Sequence, residues 1–202
     1  MSKKLSRVYN PFEKIAGWKA FGIGILILCV TTVLGYFTHA VFFGISIKLV
    51  DSVTWCRAFS LQFLGLGVTV AVMYLIALLA AKRVRFQDIL GTVTLAKYPL
   101  ILTPFIFWIF GGRTMEISDR IIQTIQTNPR EIVNILTISD YAVLMGFSVL
   151  SLAIAVWTIA LLFHAFKVST NLKGAKCGLL FTAIVLISEI IIGVIVSSFQ
   201  FN

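Results

Sequence analysis

The chain has 202 residues, of which 59% are hydrophobic and 12% charged, and its mean hydropathy is +0.99. Soluble domains carry about 25% charged residues, so a water-soluble globular domain is excluded and one membrane domain is expected to take up residues 1–202. The net charge of +9 invites a nucleic-acid reading. The basic residues adjoin apolar runs, however, the pattern of cytoplasmic loops that meet anionic headgroups. Lipid is the expected partner and nucleic acid is not.

Met1–Lys19 is a short basic head with Lys3, Lys4, Arg7, Lys14 and Lys19. After Asn10-Pro11, the spacing of Phe12, Ile15, Ala16 and Lys19 predicts one or two turns of interfacial helix, with Trp18 at headgroup depth. The following apolar run is too long for a secretory signal and lacks a small-x-small cleavage site. Ala20–Ile47 holds 28 residues without Asp, Glu, Lys or Arg, where about 20 suffice to cross the hydrocarbon. The first span is placed at 21–43. His39 near its far end has no second ligand nearby in sequence, so a capped or solvated imidazole is expected and not a metal site. In Lys48–Arg57, Leu49, Val50, Val53 and Cys56 share one helical face, predicting a turn or two on the far surface. The second span, 59–81, ends at the basic stop signal Lys82-Arg83-Val84-Arg85.

The third span, 89–111, carries a charge, Lys97, well inside an apolar run, followed by Pro99 and Pro104. An ammonium in hydrocarbon costs roughly 3 kcal/mol or more, and each proline removes a backbone donor and tends to kink a helix. A simple anchor needs neither. This span is therefore expected to be bent and central, shielded from lipid by the other four, with Arg83, Arg85 and Asp88 anchoring its cytoplasmic end. Arg113–Asp140 is the longest polar stretch. Ile117, Ile121, Ile122 and Ile125 recur at helical spacing. Asn128 and Pro129 then fit the start of another helix carrying Ile132, Ile135 and Leu136. Two amphipathic interfacial helices are expected over 113–140. Spans four and five fall at 141–166 and 177–199, joined by a short link with Lys167, Lys173 and Lys176. Eleven basic residues lie on the N-terminal side of the five crossings and five on the other, Lys97 aside. The positive-inside rule then places the N-terminus in the cytoplasm and the C-terminus outside.

Lys97 and Glu189 are the formal charges deep in spans, roughly 13 Å and 18 Å from their cytoplasmic entries at 1.5 Å per residue. Three arrangements stay open: a buried ion pair locking spans three and five together; Lys97 snorkelling inward with Glu189 protonated or bonded to Ser188 or a nearby Thr; or a proton- or ion-coupling role. Cys29, Cys56 and Cys177 are an odd number without short spacings, so no zinc, redox or disulfide motif is read. The two histidines lie on opposite sides of the membrane, the hydroxyls have no nearby base, and no P-loop, H-E-x-x-H or paired-Asp signature occurs. No catalytic residue, metal or cofactor is expected, and the chain is not read as an enzyme.

Asn10-Pro11-Phe12, Arg85-Phe86-x-Asp88-Ile89-Leu90-Gly91-Thr92 leading to Ala96-Lys97-Tyr98-Pro99-Leu100, and Trp157-Thr158-x-Ala160-Leu161-Leu162-Phe163-His164-Ala165-Phe166-Lys167-Val168 resemble the bacterial branch of the YIP family, the Rab-interacting Yip-one domain. The resemblance implies five spans, a cytosolic N-terminus and a short C-terminus on the other side. Eukaryotic members scaffold prenylated Rab GTPases and carry a long cytosolic N-terminal region with an Asp-Leu-Tyr-Gly-Pro-like motif. This chain has about 19 residues before its first span and lacks the motif, so Rab-type GTPase binding is not expected here. The resulting reading is an all-α, polytopic helix bundle of a bacterial inner membrane. It is a non-enzymatic scaffold or accessory subunit in membrane organisation or trafficking, working with other membrane proteins. Its functional core is span three against spans four and five, through Lys97, Pro99, Pro104, Trp157, His164 and Glu189. The alternative is a small transporter or lipid-handling component that uses Lys97 and Glu189.

Overall fold

A computed structural model describes Phe12 and residues 17–50, 53–81, 83–127 and 136–198. Its elements run α1 (Gly17–Phe37), β1 (Ala40–Phe43), β2 (Ser46–Leu49), α2 (Trp55–Ala80), α3 (Phe86–Ala96), a 3₁₀ segment (Tyr98–Leu102), α4 (Thr103–Thr127), α5 (Ile138–Thr170) and α6 (Gly174–Ser198). Five helical stretches are long and apolar enough to cross a membrane, with α3, the 3₁₀ segment and α4 together forming the third. The chain is thus an integral, multi-pass membrane protein.

The third span is the most enclosed. In its most apolar window 61% of residues are buried, against 22–39% in the other four. It is broken where the sequence predicts a bend. α3 ends at Ala96, and Pro99, lacking an N–H, falls in the 3₁₀ segment, which passes directly into α4 with Pro104 at its second position. α1 lies closest to α3. A Cβ on Gly24 would stand 2.7 Å from the Leu95 nitrogen, so only glycine lets the two backbones approach so near. Thr31, Thr32, Thr69, Thr94 and Thr158 donate their hydroxyls to the carbonyl four residues back, which satisfies these polar groups inside an apolar bundle.

The first span is shorter than expected. α1 stops at Phe37, and residues 40–49, expected to continue the helix and then lie on the surface, form an antiparallel hairpin. His39 takes a left-handed backbone conformation (φ 56°) that turns the chain, and its carbonyl accepts from the Val50 N–H at 2.9 Å. Val53 lies outside regular structure and Cys56 falls in the first turn of α2, so the described residues of this stretch, 48–50 and 53–57, form no separate surface helix. Phe12, expected at the interface, is buried as part of the main core cluster, which also holds Ala20, Ile89 and Phe166; residues 13–16 of the expected interfacial turn lie outside the described residues. Trp18 is exposed, and a belt of Tyr36, Trp55 and Phe59 rings collects at the far end, with Tyr36 stacked on Trp55 at 3.8 Å.

The loop expected as two interfacial helices also differs. Arg113–Thr127 is no separate element but the continuation of α4. Gly111 and Gly112 do not end the helix, because an interior glycine costs only about 1 kcal/mol relative to alanine. The second helix expected from Asn128 and Pro129 through Ile132 and Ile135 lies outside the described residues. The extension packs on the start of α5: Ile117 is fully buried, and Arg120 reaches Asp140 at 3.1 Å. Thr137 caps α5. Its N–H and hydroxyl donate to the Asp140 carboxylate, and its oxygen accepts from the Asp140 N–H. Thr137→Ala is expected to lower stability by about 1 kcal/mol, seen as a reduced melting temperature of the purified protein in detergent.

Candidate functional site: a hairpin turn between two membrane charges

The hairpin follows from its own sequence. Gly44 sits at the first turn position with φ +66°, and Ile45 is not among the positive-φ residues. That is the pattern of a type II′ turn, whose twist suits a two-residue hairpin. Pairing runs Ala40–Leu49, Val41–Lys48, Phe42–Ile47 and Phe43–Ser46. Alternation then gives the hairpin two faces. Ala40, Phe42, Ile47 and Leu49 pack with Phe107 and Phe147 of α4 and α5, while Val41 and Phe43 pack with Leu61, Ile192 and Val196 of α2 and α6. Ser46 and Lys48 share that second face and are exposed.

The turn reaches well into the bundle. Glu189 touches it, and Glu189 lies nine residues before the end of α6, about 14 Å along the helix. This is therefore a re-entrant segment. Irregular backbone at such depth persists only where its polar groups find partners within the protein. Lys97 and Glu189 are those partners. The Lys97 ammonium donates to the Gly44 carbonyl at 3.2 Å. Glu189 Oε1 accepts from the Ile45 N–H at 2.9 Å, and Oε2 accepts from the Ser46 hydroxyl at 2.9 Å.

The Gly44 carbonyl and the Ile45 N–H are the two ends of one peptide group. A cation holds its oxygen and an anion holds its hydrogen. The direct ion pair considered from sequence is therefore not formed: among the described residues no carboxylate lies within 4.0 Å of Lys97. Snorkelling does not occur either, because Lys97 is 1% exposed. The two charges still act on one another through space. Adding the two hydrogen bonds to the width of a peptide gives a separation of at most about 8 Å, worth roughly 2 kcal/mol at an effective dielectric constant of 20. The peptide dipole lies between them, oriented so that each end faces its complement.

Steric limits fix the turn further. A Cβ on Gly44 would collide with Glu189 Oε1 and stand 2.8 Å from Ile192 Cδ1. A Cβ on Gly65 of α2 would collide with the Gly44 nitrogen and stand 3.1 Å from its Cα. The turn is thus clasped between a glycine of α2 and the carboxylate of α6, with Lys97 holding its carbonyl.

Of the other residues singled out from sequence, Pro99 and Pro104 are buried and frame the break from which Lys97 projects. Trp157 is half-buried and meets Tyr98 edge to face at 5.5 Å. His164 lies seven residues further along α5, about 10 Å toward the basic end, half-buried beside Phe163. Arg83 and Arg85 are exposed at the entry of α3, and Asp88 sits in its first turn against Gly17. Sequence reasoning missed Gly44, Ile45, Ser46 and Gly65. The available signal was a glycine-X pair between short apolar runs, inside a segment longer than one crossing needs. Among the described residues no three His, Cys, Asp or Glu side chains gather as a metal site. The chain matches no family model, no curated protein and no solved structure.

Proposed function

We propose that this protein is a non-enzymatic scaffold or accessory subunit of a bacterial inner membrane, of the YIP type, with a cytoplasmic N-terminus, working through contacts with other membrane proteins. The observation that carries this reading is the engagement of both intramembrane charges by one hairpin turn. Lys97 and Glu189 position a structural element, and a charge used in that way is not available to line a substrate route. Met145, Val149, Leu152 and Val156 form an exposed apolar stripe along α5, a face that suits acyl chains and the helix of another membrane protein equally. Crosslinking in native membranes, followed by isolation in mild detergent, is expected to recover a stable membrane-protein partner, and proteoliposomes are expected to show no flux. The competing reading is a small transporter using Lys97 and Glu189. It would be supported instead by pH- or ion-dependent flux that Glu189→Gln abolishes.

A further inference from the structure

We propose that the outer edge of β2 receives an extended segment of a partner protein, which adds to the hairpin as a third strand. The inference rests on the scaffold reading and names its contact surface. The Val50 N–H donates to the His39 carbonyl, and antiparallel pairs alternate between hydrogen-bonded and non-bonded. Val41–Lys48 and Phe43–Ser46 are therefore bonded pairs, while Ala40–Leu49 and Phe42–Ile47 are not. The N–H and C=O groups of Ile47 and Leu49 thus point away from β1. Among the described residues no hydrogen bond reaches them.

The two edges of the hairpin differ. β1 is covered: Ala40, Val41 and Phe42 are buried, and a Cβ on Gly35 of α1 would stand 2.7 Å from the Ala40 carbonyl oxygen. β2 is open, with Ser46 and Lys48 exposed and Ile47 and Leu49 half-buried. One face of the hairpin packs on α4 and α5 and the other on α2 and α6, so this edge looks out between α5 and α6. Those helices meet near their joined ends, where Phe163 and Phe166 approach Phe181 at 5.3 and 6.4 Å. Ile47 is one residue, about 3 Å, from Ser46, which touches Glu189. An open sheet edge does not persist against lipid at that depth. Acyl chains offer it no hydrogen bond, and a helix has its backbone groups bonded internally. An extended backbone supplies donors and acceptors at the required spacing. A second copy does not serve. A two-fold axis along the membrane normal would set the two β2 strands parallel, with Ile47 facing Ile47. A parallel ladder instead bonds each residue to the two that flank its opposite number. The segment therefore belongs to a different protein and enters from the far side. Its side chains alternate, polar ones beside Ser46 and Lys48 and apolar ones toward Phe147.

The test compares hydrogen exchange of the full chain in native membranes, at native abundance, with the chain purified alone into nanodiscs, read residue by residue by mass spectrometry. The Ile47 and Leu49 N–H groups are expected to exchange about tenfold more slowly in native membranes, the scale of one backbone hydrogen bond. The Ser46 and Lys48 N–H groups, which point to β1, are expected to exchange alike in both. Fast exchange of Ile47 in both preparations would show an edge that water covers, and slow exchange in both an edge the chain closes by itself. Either result overturns the proposal. Diazirine side chains placed at Lys48 and, on the α5 stripe, at Val149 separate this inference from the scaffold reading. Photolysis in native membranes is expected to give a protein adduct at Lys48. An adduct at Val149 alone, with Ile47 exchange unchanged, would leave the scaffold standing and overturn strand addition.

Discussion

Replacing Lys97 by methionine is expected to destabilise the protein by about 3 kcal/mol, from a buried acceptor left without its donor, about 1–3 kcal/mol, and the lost through-space attraction to Glu189, roughly 2 kcal/mol. The Gly44 carbonyl then loses its donor and Glu189 loses its counter-charge. Lys97→Met combined with Glu189→Gln is expected to be milder than the sum of the single changes, because neither charge is left uncompensated. The exchanged pair, Lys97→Glu with Glu189→Lys, separates a bridged arrangement from a direct one. A direct ion pair tolerates exchange. A peptide group does not, because its oxygen would face a carboxylate and its N–H an ammonium. The exchange is therefore expected to be at least as damaging as either single replacement. Thermal unfolding of the four variants in the same detergent checks this order.

The second large effect is steric. Gly44→Ala places a methyl against Glu189 and Ile192 and forces a positive φ on a residue with a side chain. Gly65→Ala drives a methyl into the Gly44 backbone from the other side. Overpacking a filled interior costs about 1–3 kcal/mol, and the positive φ of the first II′ position adds about 1–3 kcal/mol for alanine at Gly44. Gly67→Ala is the control. It lies on the same helix with open space around it and should leave stability unchanged or slightly raised, because alanine favours helix. Equal behaviour of Gly65→Ala and Gly67→Ala in thermal melts would show that α2 does not clasp the turn.

The crossings were legible in the sequence because uncharged runs bounded by Lys and Arg leave few alternatives. The central place of the third span was also legible: a lysine and two prolines are tolerable only where neighbours cover them. The hairpin was not. Ala40–Ile47 is as apolar as the helix before it, and hydropathy does not distinguish a strand shielded by helices from one more turn of helix. The excess length of the first run was the only numerical clue, and Gly44-Ile45 the only local one. The long α4 was missed for the opposite reason. The isoleucine spacing of 117–125 was helical, but the Gly111-Gly112 pair and the polar composition after it looked like a boundary. Lys97 and Glu189 were recognised as related, yet the peptide between them lies more than 50 residues from one and more than 140 from the other. Nothing local in the chain marks that encounter.

The most direct test exchanges the amide between Gly44 and Ile45 for an ester, by incorporating the α-hydroxy analogue of Ile45. This removes the N–H that Glu189 holds and weakens the carbonyl that Lys97 holds, while every side chain stays in place. The ester is expected to cost roughly 2 kcal/mol and to remove most of the additional effect of Lys97→Met. An ester at this bond that leaves the melting temperature unchanged, or whose effect simply adds to that of Lys97→Met, would contradict a peptide held between the two charges.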